Sequence, residues 1–189
     1  MSLLFSPNPL LAEGHFWLTL AEKEDANVLI NQLARSANEM ESGSLAILEA
    51  RPVLISNLRA WENLILPRWY HHGENLLQHD RFLHDLLQRA EVNEQQFHSA
   101  LERLPGQLDL GQRRVIALLR AYMQEASCWV LEEEWLEWLL DPRGRNPVLA
   151  KIYQCMPQPK STLVLSLKAC PQEKYQEVAM LAQQVGEGE

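Results

Sequence analysis

Five of the six histidines, His71, His72, His79, His84 and His98, fall within one 28-residue stretch, and two of them open the dipeptides His79-Asp80 and His84-Asp85. Imidazoles and carboxylates at this density are the raw material of a metal-dependent hydrolase or lyase, in which a bound ion activates water. A single ion needs ligands three or four residues apart on a helix, or on facing helices. His72 and His79 are seven apart, about 10 Å along a helix axis. No His-x-x-x-His and no Glu-x-x-His occurs. The closest spacings, Asp80 with His84, Glu94 with His98 and His71 with Glu74, equally suit surface pairs. A hydrolase using His71, His72, His79, Asp80 and His84 on a helix over 68–90 therefore stands as an alternative, and no residue is assigned as a metal ligand or catalytic group.

Other catalytic patterns are absent. There is no Gly-x-Ser-x-Gly turn, no Walker-type phosphate loop and no Gly-x-Gly-x-x-Gly, so no cofactor is expected. The three cysteines, Cys128, Cys155 and Cys170, form no Cys-x-x-Cys pair and read as free thiols of a reducing compartment.

Two segments have the composition of binding surfaces. Glu132-Glu133-Glu134 and Glu137 lie among Trp129, Trp135 and Trp138, so Trp135, Trp138, Glu134 and Glu137 form a candidate acidic, aromatic contact patch for another protein. The same tryptophans also suit a helical core. Arg143 and Arg145 sit in the proline-bounded loop Asp141-Pro-Arg-Gly-Arg-Asn-Pro147, where two guanidinium groups suit a carboxylate or phosphate.

The elements that would carry these groups read as helices. Leu10 to Leu20 suits a short helix weakened by Gly14. Asp25 caps a clear one, with Ala26, Leu29, Leu33, Ala37 and Met40 on one face and Gly43 ending it. Leu54, Leu58, Trp61 and Ile65 repeat at helical spacing until Pro67. Asn93 with Gln96 has the spacing of a capping box, and Val92 with Phe97 that of a hydrophobic staple. Residues 110–140 read as one long central helix with two apolar stripes offset by a residue, and Val148 to Met156 as a short one. Thr162 to Lys168 is balanced between strand and helix. Pro171 opens a last helix carrying Tyr175, Val178, Ala182 and Val185.

The expected fold is thus all-α: a bundle of seven or eight helices, with one short strand near 162–168 as the alternative. It divides into a helical bundle over 1–140 and a loop-helix extension over 141–189, packed on the same domain. The 189-residue chain has a net charge of −8 and a pI near 5.3, which argues against nucleic acid as a partner. Charge is uneven: residues 1–140 hold 20 acids and 11 bases, while 141–189 hold 5 and 6. No run of apolar residues reaches the length of a membrane span and no signal peptide is read at the N-terminus. These features favour a non-enzymatic adaptor, chaperone-like or regulatory protein of the bacterial cytoplasm that binds another protein. A structural homo-oligomer is the remaining alternative.

Overall fold

Residues 4–6, 8–22, 24–72, 76–141 and 143–181 are described by the computed structural model, and their architecture is α/β. In chain order the elements are β1 (Leu4–Ser6), β2 (Gly14–Thr19), α1 (Glu24–Met40), β3 (Leu45–Leu48), α2 (Ala60–His72), α3 (Leu76–Arg89), α4 (Glu94–Leu101), α5 (Leu110–Met123), β4 (Cys128–Glu132), α6 (Glu134–Leu139), α7 (Pro147–Cys155), β5 (Ser161–Ser166), β6 (Gln176–Glu177) and β7 (Ala179–Leu181). Five strands form one sheet in the order β3-β4-β5-β2-β6, every neighbouring pair parallel. β1 and β7 pair antiparallel beside it.

The expectation of an all-α bundle is corrected by this sheet, and the reason lies in how its strands are buried. Helices cover both faces, so the strands carry continuous apolar runs without polar alternation. On one face Phe16, Leu18, Val130, Leu163 and Leu165 meet Leu29, Ile30 and Leu33 of α1. On the other, Trp17, Ala46, Leu48, Trp129, Leu131 and Val164 meet the layer formed by α2 to α7. Each such Val, Leu, Ile or Phe side chain, taken fully out of water, contributes roughly 1.5–3 kcal/mol before ordering costs.

The predicted helix over residues 10–20 is β2, which Gly14 enters at φ 138. The predicted 110–140 helix is three elements. α5 ends at Met123, Glu125 turns the chain at φ 55, and β4 and α6 follow. Pro67 lies inside α2, where packing on α5 carries the helix through it. The predicted last helix is replaced by β6 and β7, with Tyr175 and Val178 described and Ala182 and Val185 outside the described residues. Of the predicted capping box at residue 93, the Gln96 side chain is likewise outside them.

Two local devices, a surface cap and a buried amide, fix the layer next to the sheet. Asp109 caps α5 by accepting from the Gln112 N–H at 2.7 Å, while Gln112 accepts from the Asp109 N–H at 3.1 Å. Asn63, 1% exposed, ties down the turn before α2. Its carbonyl accepts from the Ile55 N–H, and its amide donates to the carbonyls of Ile55, Leu58 and Arg59.

Candidate functional site

In parallel sheets ligands gather beyond the carboxyl ends of the strands. Here the ends of β2, β4 and β5 enclose a crevice of about 240 Å³, lined by Leu20, Ala26, Glu132 to Glu134, Glu137, Leu165, Ser166, Leu167 and Lys168. Its volume lies under the roughly 300–1,000 Å³ usual for small-molecule sites. Glu133 sits at the centre. Lys168 Nζ donates to its Oε1 at 2.5 Å and the Ser166 hydroxyl to its Oε2 at 2.5 Å. Ser166 Oγ in turn accepts from the Lys168 N–H at 2.8 Å. Partial burial would raise the Glu133 carboxyl, but the Lys168 and Ser166 hydrogen bonds and the ammonium charge outweigh it and hold the group below its ordinary 4.5. The carboxylate raises Lys168 in return.

The loop from β2 into α1 forms the adjoining wall. A strand, a loop and a helix N-terminus in this order form the phosphate cradle of P-loop proteins, which depends on glycines, on free backbone N–H groups and on a Lys-Ser/Thr pair. Residues 20–28 read Leu-Ala-Glu-Lys-Glu-Asp-Ala-Asn-Val, with no glycine and no Lys-Ser/Thr. The Glu22 N–H donates to the Asp25 carboxylate at 3.1 Å, so a side-chain anion sits where a phosphate oxygen would. A phosphate charge ~6 Å from one crevice carboxylate would meet about 3 kcal/mol of repulsion at an effective dielectric of ~20. The residues present do not fit a magnesium–nucleotide triphosphate tail.

A second junction ties this crevice to the helical layer. Glu132 accepts from the Ala50 N–H, Arg114 donates to the Ala50 carbonyl at 3.2 Å, and Trp135 Nε1 donates to the Glu49 carbonyl at 2.9 Å. Arg120 reaches the Val53 carbonyl at 3.2 Å. The chain leaving β3 is thus gripped by α5, β4 and α6 together. Desolvation and the nearby Glu132 charge raise the Glu49 carboxyl, with Arg120 opposing them.

Of the residues singled out by sequence, Glu134 and Glu137 are exposed and line the crevice. Trp135 and Trp138 are buried, 0% and 5% exposed, with Arg114 stacked 3.2 Å over the Trp138 ring. Arg143 and Arg145 are exposed on a turn in which the Arg143 N–H donates to Asp141 at 2.9 Å, and they do not reach the crevice. Asp80 and His84 are exposed on α3, and the side chains of His71, His72 and His79 lie outside the described residues. Among the described residues no group of three or more His, Cys, Asp or Glu could hold a metal. Sequence reading passed over Lys168 and Ser166, whose polar side chains follow an otherwise apolar strand.

With this geometry the chain compares closely with ATP-binding cassettes. It superimposes on the ATP-binding subunit of an ABC transporter with a TM-score of 0.58 at 16% identity, covering 81% of this chain and 68% of that one. The ATP-binding cassette MJ0796, in its dimeric form bound to ADP and phosphate, gives 0.58 at 16% over 82% and 75%. The fold is therefore the cassette fold. In sequence, the chain is similar to the cytochrome c biogenesis ATP-binding export protein CcmA of Histophilus somni, 31% identical over 124 residues, 65% of this chain and 52% of the relative. It is also 38% identical over 65 residues to the thiamine import ATP-binding protein ThiQ of Vibrio cholerae, 34% of this chain and 26% of that protein. The chain spans about half the length of CcmA and a quarter of ThiQ. No family model matches it. These likenesses overturn the expectation of a helical adaptor or chaperone.

Proposed function

We propose that this chain is an ATP-binding-cassette subunit of a membrane transport complex, of the export kind for which CcmA is named. The observation that carries this reading is the 31% identity over 124 residues to CcmA in a chain whose own fold is a cassette. In such a complex the subunit works beside a second cassette, against transmembrane partners and on the cytoplasmic face. The membrane-spanning segments come from those partners; among the described residues no helix is long and apolar enough to cross a membrane. The rigid junction between crevice and helical layer suits a part that passes force between a membrane partner and a second cassette.

The test is purification of the tagged full chain from native membranes in mild detergent. The expected result is a fixed stoichiometry with a multi-spanning membrane protein, and release of the chain by alkaline washing. Recovery of the chain only as free protein, with none in the membrane fraction, would remove the reading.

A further inference from the structure

We infer that the crevice at the ends of β2, β4 and β5 does not take a nucleoside triphosphate, because the loop beside it has no glycine and the Asp25, Glu132, Glu133 and Lys168 side chains around it are already engaged with one another or with the backbone. The inference deepens the cassette-subunit reading and rests on it.

Four observations converge. A phosphate cradle needs backbone N–H groups turned toward the ligand, and glycine lets the chain approach that closely. Residues 20–28 hold no glycine, and the Glu22 N–H is already taken by the Asp25 carboxylate. A cradle also needs a lysine for the outer phosphates and a hydroxyl for the metal at the first turn of the helix. The corresponding turn of α1 reads Asp25-Ala26-Asn27-Val28, and Ala26 is buried. Among the described residues the crevice lining offers one cation, Lys168, and that ammonium is paired to Glu133 at 2.5 Å.

The fourth observation concerns the metal. In P-loop enzymes a carboxylate at a strand end holds magnesium. Here the Glu132 carboxylate bonds the Ala50 N–H, and both oxygens of Glu133 are engaged by Lys168 and Ser166. The two strand-end carboxylates are thus already bonded within the protein, and the lining is negative. In a transport complex driven by ATP, hydrolysis then falls to a cassette other than this chain.

The experiment is titration of the purified full chain with Mg-ATP and Mg-ADP, followed by calorimetry and by thermal unfolding. A site with a dissociation constant of ~50 μM would raise Tm by roughly 5–10 °C at ~5 mM nucleotide. The expected result is no saturable heat and no Tm shift. Saturable one-to-one binding, with an azido-ATP probe cross-linking into residues 20–28 or 132–137, would overturn the inference. Binding that cross-links elsewhere leaves the crevice assignment standing. Membrane purification separates the two readings. A chain that binds nucleotide in the crevice and co-purifies with a transmembrane partner keeps the subunit role and loses this inference. A chain that does neither keeps the inference about the crevice and loses the subunit role.

Discussion

Glu133 holds both Lys168 and Ser166 at the centre of the crevice, and its titration gives a signed test. A carboxyl held below its ordinary value favours the folded state above the unfolded value near 4.5, and the benefit disappears as pH falls through the folded value. Chemical denaturation of the wild type and of Glu133→Gln, measured from pH 7 to pH 3, should show a gap that is constant above about pH 5 and narrows below it. Because Lys168 is largely exposed, Lys168→Ala should leave the urea denaturation midpoint close to that of the wild type. Cys128 makes a second residue-level case. Burial pushes its thiol up to about 11 despite a hydrogen bond with Ser161, so it stays a thiol at neutral pH. A disulfide reagent at pH 8 should modify the half-exposed Cys155 in the native protein and reach Cys128 only after denaturation.

At the scale of elements, amphipathic helices with local caps were legible and two-sided strands were not. α1 announces itself through one apolar face and the stop residue Gly43, although Asp25, expected as its cap, lies inside the helix; α7 shows in its apolar run alone, and its cap Asn146 emerges only in the structure. β4 does not: Cys128 to Leu131 are all apolar and all buried, and a short run of that kind reads equally as the inside of a helix. The acidic wall of the crevice was visible as the run Glu132 to Glu134. Its lysine was not, because β5 brings Lys168 to Glu133 from 35 residues away and no local pattern encodes that meeting. The overlooked cap of α5 gives the element-scale prediction. Asp109→Ala removes the Gln112 N–H partner and should cost about 1 kcal/mol in urea denaturation. Asn63→Ala should cost more, about 1–3 kcal/mol, because it removes a buried side chain whose amide bonds the Ile55 N–H and the Leu58 carbonyl in the turn before α2.

Across the whole molecule, β5 is the keystone of the sheet. It pairs with β4 on one side and β2 on the other, so the edge pair β3-β4 joins the remaining strands only through it. A chain ending at residue 156 should therefore lack cooperative unfolding by circular dichroism and scattering. Leu163→Ala, at a position 0% exposed, should cost about 2–5 kcal/mol in the full chain.

The same pairing sets a schedule for birth on the ribosome. β2 emerges early, yet both strands that flank it come from the last thirty residues of the chain, the first of them roughly 150 positions later. At about 5–20 residues per second, synthesis leaves Phe16, Trp17 and Leu18 without a neighbouring strand for roughly ten to thirty seconds. During that interval the nascent chain displays an aromatic, hydrogen-bond-hungry edge. Translation stalled before β5 has been made should therefore divert it into aggregates more readily than stalling after β5 has emerged.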